Sequence, residues 1–174
     1  MTDSRAVVTV AAPAPDWTDA WGHPEYYRGV TLRRIFAYLV DIVVVSVLAA
    51  LVWTAFLILG LLSLGLLFPL QALAVALVPL AYHSLLIASP AAATIGMRLF
   101  RLRVRSLAPE VDGGSGRPTI FQAIIQTVAF YGSIALTASA ILVVALFNAR
   151  RRTLHDWLAG TVVVNDPEDG PRTA

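Results

Sequence analysis

The sequence predicts an all-α membrane protein with three main transmembrane segments and a small cytoplasmic two-stranded element. Hydrophobic residues make up 57% of the 174 residues and charged residues only 14%, which is far from the composition of a soluble globular domain. Asp41 is the only charged residue between Arg34 and Arg98, and no charge lies between Arg117 and Arg150. Because one helical span needs roughly 20 apolar residues, the first stretch accommodates two spans. The second accommodates one long span or a bent pair.

The distribution of charged residues, together with that of Pro and Gly, divides the chain into three predicted regions. They are a polar N-terminal tail (1–27), a membrane domain (28–165) and a disordered C-terminal tail (166–174). The spans are predicted at about 32–59, 69–88 and 119–149. The first helix is predicted to begin at Thr31 as the N-cap, and Pro79 is expected to kink the second.

The segments that connect and follow the predicted spans are predicted to contain short helices and strands. Ser89 is predicted to cap a short helix that opens at Pro90. The runs "RLRV" and "TVVV" are the only two strand-like stretches, which makes them candidates for pairing with each other. "TLHDWLAG" is typical of a short amphipathic helix that ends at Gly160.

The arginines predict the orientation of the chain. Basic residues in short loops mark the cytoplasmic side, so Arg28, Arg33 and Arg34 place the N-terminus in the cytoplasm, as does the run from Arg98 to Arg105. A single crossing by 119–149 would put the "RRR" that follows outside, against this rule. We therefore favour a third segment that bends at 131–133 and returns, over one that crosses once.

Asp41 is the main candidate for a functional residue. Arg34, Tyr38 and Asp41 share one helix face, because seven residues complete nearly two turns. Asp41 lies about 10 Å deeper than Arg34, so each side chain is expected to need a partner from another segment. An ionisable residue inside a span marks either function or a buried polar contact that fixes helix docking, and both alternatives stay open.

Other chemistries find little support in the sequence. The chain contains no Cys, which excludes a cysteine-ligated metal, and we predict no other cofactor. Its 13 basic residues are all Arg, but no soluble basic domain is present to bind with, so we predict no nucleic-acid partner. His155 and Asp156 are adjacent and therefore face different ways on a helix, which argues against a metal or hydrolase dyad. Asp156 is expected to accept hydrogen bonds from an Arg or from backbone amides. We predict that the protein is not an enzyme.

Three blocks together resemble the RDD family of small bacterial membrane proteins: "RRIFAYLVD", "ATIGMRLFRLRV" and "RRRTLHDWLAGTVVV". The family is named for one arginine and two aspartates, which map onto Arg34, Asp41 and Asp156. Thr94 and Gly96 match its middle block, but Met97 stands where a lysine is common, and Arg98 is the neighbouring basic residue. The resemblance implies a plasma-membrane protein with three spans. It implies no settled function, although some members are linked to sodium or lithium/proton antiport.

Two functions follow as hypotheses. In the first, Arg34, Asp41 and Asp156 form a buried polar lock in a helical module that acts within a membrane assembly, either a homo-oligomer or a larger complex in the lipid bilayer. Tyr38, Thr94, Gly96, Arg98 and His155 are the supporting residues. In the alternative, Asp41 is the exchanging carboxylate of a cation/proton antiporter or of another small-solute transporter.

Overall fold

A computed structural model describes residues 24–107, 116–137 and 152–165 of the chain. The predicted C-terminal tail and nearly all of the predicted N-terminal tail lie outside these residues. After a 3-10 turn at Pro24–Tyr27, the elements are α1 (Val30–Leu62), α2 (Phe68–Ala88), α3 (Ile95–Leu99), β1 (Leu102–Ser106), α4 (Ile120–Thr137), α5 (Leu154–Leu158) and β2 (Thr161–Asn165).

Helices α1 and α2 form an apolar hairpin. They contain 33 and 21 residues, and an 18-residue stretch of each has a mean hydropathy of 2.8 and 1.8 respectively, so both are long and apolar enough to cross a membrane. At 1.5 Å per residue they extend about 50 Å and about 30 Å. Ser63 closes the turn between them, because its hydroxyl accepts the amide N–H of Leu67 (3.2 Å). The predicted spans at 32–59 and 69–88 agree with these helices to within a few residues.

The predicted N-cap of the first helix is wrong by two residues. The cap is Gly29, which has a left-handed backbone (φ 70), and its carbonyl accepts the amide N–H of Arg33 (3.2 Å). A glycine adopts this conformation without the steric cost that a Cβ would bring. Thr31 lies inside the helix instead, where its hydroxyl is buried without a hydrogen-bond partner.

The short helix after α2 also begins later than predicted. Ser89 ends α2, since its hydroxyl donates to the carbonyl of Leu86 (2.6 Å). Thr94 is the true N-cap, and its side chain accepts the amide N–H of Met97 (3.2 Å). The short helix α3 therefore starts at Ile95 and not at Pro90.

The predicted strand pairing is confirmed. β1 and β2 are antiparallel, with Leu102 opposite Asn165 and Ser106 opposite Thr161. The sheet lies at the N-terminal end of α1, because the side chain of Asn165 donates to the carbonyl of Arg28 and accepts from Arg33, both at 3.1 Å. The last described strand therefore returns to the point where the first helix begins.

Helix α4 is continuous where a bend was predicted. Residues 131–133 continue the helix to Thr137, and a single Gly in a helix is tolerated where neighbouring residues keep the hydrogen-bond ladder. The predicted bend at 131–133 is therefore wrong. The second half of the predicted third span, residues 138–149, lies outside the described residues. The start of α4 lies beside β1, since Gln122 Nε2 donates to Ser106 Oγ (3.0 Å).

Candidate functional site: two buried carboxylates

The carboxylate of Asp41 is enclosed by hydrogen-bond donors from two other elements. Asp41 is 3% exposed. Its Oδ1 accepts the Tyr82 hydroxyl (2.7 Å) and the Gly96 amide N–H (2.9 Å), and its Oδ2 accepts the Thr94 hydroxyl (2.6 Å). Hydrogen bonds to a charged acceptor are among the stronger ones in proteins. The three donors therefore tie α1 to α2 and to the N-terminus of α3.

Gly96 is required by a close approach between α3 and α1. A Cβ added at this position would lie 2.0 Å from the carbonyl oxygen of Ala37 and 3.0 Å from Asp41 Cγ. Thr94 and Gly96, two residues apart, thus supply a hydroxyl and an amide to the same carboxylate. This geometry gives a physical reason for the T-x-G part of the middle block.

Asp156 is the second buried carboxylate, and it pairs with Arg34. Its side chain is fully buried, and its Oδ2 lies 2.5 Å from Arg34 Nη2. Oδ1 accepts Gln126 Nε2 (3.0 Å), while Oδ2 also accepts the amide and the hydroxyl of Thr153 (3.0 and 2.8 Å). These contacts connect α1 to α4 and α5.

Asp156 also sets the start of α5. Thr153 and Asp156 form a capping box, in which the carboxylate at the third helical position bonds the amide of the cap residue. Arg152, which precedes the capping box, also bonds to this region. Its Nη2 donates to the backbone carbonyl of Asp156 and its Nε to that of Thr161, both at 3.0 Å. Five-residue α5 is thus ordered by polar contacts at its N-terminus.

The charge states at this carboxylate are set by burial and by the arginine. Burial alone would raise the pKa of Asp156, but the Arg34 guanidinium and the hydrogen bonds from Arg34 and from the Thr153 backbone more than offset this, so the pKa is lowered. Burial lowers the pKa of His155 to about 4, and the nearby Asp156 charge opposes this only in part. His155 is therefore neutral at pH 7, and its 3.9 Å approach to Asp156 Oδ1 is not an ion pair.

Neutral His155 has one nitrogen without a partner. Its Nε2 lies 2.7 Å from Thr153 Oγ1, and because that hydroxyl donates to Asp156, Nε2 must carry the hydrogen. Nδ1 is then a bare acceptor, and it is buried without a hydrogen-bond partner. The side-chain oxygen of Gln126, Oε1, is likewise buried without a hydrogen-bond partner.

A pH dependence of stability follows from His155. A histidine that the fold keeps neutral leaves more protons bound in the unfolded state between its two pKa values, so stability falls as pH falls. We expect a loss of about 3 kcal/mol between pH 6.5 and pH 4, because the folded pKa is about 4. Asp156 adds a further loss only below about pH 4, where its lowered pKa lies.

The His155→Gln variant isolates this contribution. Glutamine retains a donor toward Thr153 but does not titrate, so the decline between pH 6.5 and pH 4 should flatten. Thermal unfolding of the purified protein in detergent across this range measures it. An identical decline in both proteins would show that His155 is not buried in the neutral form.

A cavity lies beside Asp41, between α1, α2 and α4. Its volume is about 210 Å³, and its polar lining consists of Tyr38, Asp41, Ser46, His83 and Tyr131. Phe130 separates it from the second carboxylate, since its ring lies edge-on to Tyr38 (5.1 Å between centroids) and to His155 (5.0 Å). Asp41 and Asp156 therefore lie in separate environments.

The structure divides the predicted triad into two sites. Arg34 and Asp156 lie together, whereas Asp41 lies with Thr94 and Gly96, so the partners of both α1 residues come from other elements. Met97, at the position of the common lysine, packs against the hydrophobic core. Arg98 is exposed at the end of α3 and contacts neither carboxylate.

Sequence reasoning missed four participating side chains: Tyr82, Gln126, Arg152 and Thr153. Tyr82 and Gln126 had a usable signal, because each is a hydrogen-bonding residue inside an otherwise apolar stretch. Among the described residues, no group of three or more His, Cys, Asp or Glu side chains is arranged to hold a metal ion.

The fold and the site define a helical membrane domain with a small sheet at one end and two buried carboxylates, Asp41 on its first helix and Asp156 on the short helix α5. Residues 28–160 match the RDD family model, and the chain belongs to this family. No curated protein and no solved structure matches the chain.

Proposed function

We propose that the protein is a polar-locked helical module that acts within a membrane assembly in the plasma membrane. The polar lock comprises the two carboxylates, Asp41 and Asp156, together with Arg34 and the donors described above. The observation that carries the proposal is that both carboxylates already accept hydrogen bonds from donors of the protein itself. Asp41 receives three hydrogen bonds and Asp156 receives four.

This occupancy favours a structural role over ion exchange. A carboxylate that exchanges a cation must release its donors in each cycle, and each hydrogen bond to a charged group contributes about 1.5–3 kcal/mol. The same bonds join α1 to α2, α3 and α5, and through Asp156 to α4. Removing one partner of such a buried group is far more costly than forming the contact is favourable.

The placement of charge supports a cytoplasmic N-terminus. The arginines of the described residues belong to the segments at the sheet end of the helices: Arg28, Arg33, Arg34, Arg98, Arg101, Arg103, Arg105, Arg117 and Arg152. By the positive-inside rule this end faces the cytoplasm. Ala72 and Ala76, four apart and exposed on α2, offer a small-residue face for a second helix of a homo-oligomer or a larger complex.

The Asp41→Asn variant tests the lock. The amide retains one acceptor, but its NH₂ group faces a hydroxyl that donates in the native protein, so we expect a destabilisation of about 1–3 kcal/mol and less folded, assembled protein. Size-exclusion chromatography and thermal unfolding in detergent measure both. Ser46→Ala, which alters the cavity wall without touching a bond of the lock, is the matched control. A stable and fully assembled Asp41→Asn protein would contradict the proposal.

A second candidate function is cation/proton exchange, and the cavity next to Asp41 is the observation that favours it. The measurement is collapse of a pH gradient in proteoliposomes when Na⁺ or Li⁺ is added. Under the polar-lock proposal, wild-type protein gives no flux above that of Asp41→Asn. Flux that is present in the wild type and lost in a folded Asp41→Asn protein would favour exchange.

A further inference from the structure

We propose that His83, and not Asp41, is the group through which the intramembrane cavity binds a proton. His83 lies on α2, one turn after Pro79, and its ring forms part of the cavity wall. The side chain is 8% exposed. Proton binding at His83 does not require that an ion cross the membrane.

The hydrogen bonds of His83 determine which nitrogen carries the hydrogen. Nδ1 lies 2.9 Å from the carbonyl oxygen of Pro79, and a carbonyl oxygen only accepts, so Nδ1 is the protonated nitrogen. The Tyr131 hydroxyl lies 3.3 Å from the same nitrogen and shares this contact. In the neutral ring, Nε2 is then a bare lone pair. Within the described part of the chain, no group donates to it.

Asp41 and His83 therefore differ in what each can accept. The carboxylate oxygens already face three donors, whereas no donor among the described residues faces Nε2 of His83. Within the described residues Asp41 forms no ion pair, because Arg34 is bonded to Asp156. The Asp41 carboxylate thus borders the same cavity as His83.

The titratable neighbours of His83 come from each element packed around it. On its own helix, Tyr82 lies edge-on at 5.0 Å between ring centroids, and from α4 Tyr131 lies at 5.6 Å. Helix α1 contributes Tyr38 and Asp41 across the cavity. The ring of Phe130 stands between His83 (6.5 Å) and His155 on α5 (5.0 Å). Asp41 is the one carboxylate among these neighbours.

Proton binding at His83 leaves the polar lock intact. A proton delivered by water adds to the Nε2 lone pair and forms one N–H bond, and the hydrogen bonds of Nδ1 and of Asp41 are all retained. The cavity wall gains a positive charge and a second N–H donor. It therefore changes with pH while the helices stay joined.

Nitrogen NMR of the full-length protein in lipid nanodiscs tests this assignment. The chain has only His23, His83 and His155, so ¹⁵N-histidine labelling gives three rings, which His23→Gln and His83→Gln assign. At high pH we expect His83 to carry its hydrogen on Nδ1 and His155 on Nε2. As the pH is lowered, Nε2 of His83 should convert to a protonated nitrogen while the protein stays folded.

Two outcomes would overturn the proposal. One is a hydrogen on Nε2 of His83 at high pH, and the other is an Nε2 signal that does not respond to pH over the whole range in which the protein is folded. Tyr131→Phe supplies a second variant, since Pro79 still holds Nδ1–H and the same tautomer should persist. A change of tautomer in that variant would contradict the geometry on which the proposal rests.

Discussion

The Gly96→Ala variant is expected to lose most of its folded protein. The added Cβ would lie 2.0 Å from the carbonyl oxygen of Ala37 and 2.8 Å from its carbon, and backbone atoms of a packed helix cannot move aside cheaply. Separating α3 from α1 would also weaken the bond from the Gly96 amide to Asp41 (2.9 Å). Overpacking and the lost bond together should cost about 3–5 kcal/mol. Thermal unfolding and the yield of monodisperse protein in detergent measure the effect.

Gly132→Ala is the matched control for this substitution. Gly132 also lies in a helix, but a Cβ there meets nothing within 4 Å. Alanine in a helix interior is favoured over glycine by roughly 0.5–1 kcal/mol, so this variant should be as stable as the wild type or slightly more stable. Equal stability of the two alanine variants would show that α3 does not approach α1 as closely as described.

The Asp156→Ala variant is expected to cause a loss of similar size. It leaves the Arg34 guanidinium without its buried counter-ion, and it removes the acceptor for Gln126 and for the amide of Thr153. Breaking a buried charged pair from one side costs about 3–5 kcal/mol. Thermal unfolding at pH 7 measures the change.

A double-mutant cycle separates the contribution of the Arg34–Asp156 ion pair from the rest of the destabilisation that Asp156→Ala causes. Arg34→Met removes the other partner, and the double variant should be less destabilised than the sum of the two single variants, because no unpaired charge remains. Additive effects would mean that the two side chains do not interact in the folded protein.

Hydropathy and turn chemistry were enough to predict much of the fold. The two apolar helices, the turn between them and the pairing of "RLRV" with "TVVV" follow from local composition and alternation. Local rules misplaced the first cap, because Thr and Gly are about equally favoured as N-cap residues and residue type alone does not distinguish Thr31 from Gly29. Gly29 is the cap because the chain must turn there to bring the strand β2 against the start of α1.

Of the site, the sequence predicted the three central residues, Arg34, Asp41 and Asp156, but not how they pair. The one-face spacing of Arg34 and Asp41 correctly indicates that each needs a partner from elsewhere, but helical spacing contains no information about which segment supplies it. The identity of those partners depends on how α3, α4 and α5 dock. The bend predicted at 131–133 failed for a related reason, since Gly and Ser permit a bend without requiring one.

Cross-linking between the start of α1 and β2 tests the central claim, that Asp156 holds the C-terminal element against the first helix. The chain has no Cys, so Arg33→Cys with Asn165→Cys places a single thiol pair at positions whose native side chains meet at 3.1 Å (Arg33 Nη1 to Asn165 Oδ1). A bifunctional thiol reagent spans the distance that the shorter Cys side chains leave. Arg33→Cys with Ser63→Cys, at the far end of α1, is the control pair. We expect efficient cross-linking of the first pair in membranes, none of the control, and a strong loss of the first when Asp156→Ala is added. Unchanged cross-linking in that triple variant would contradict the account.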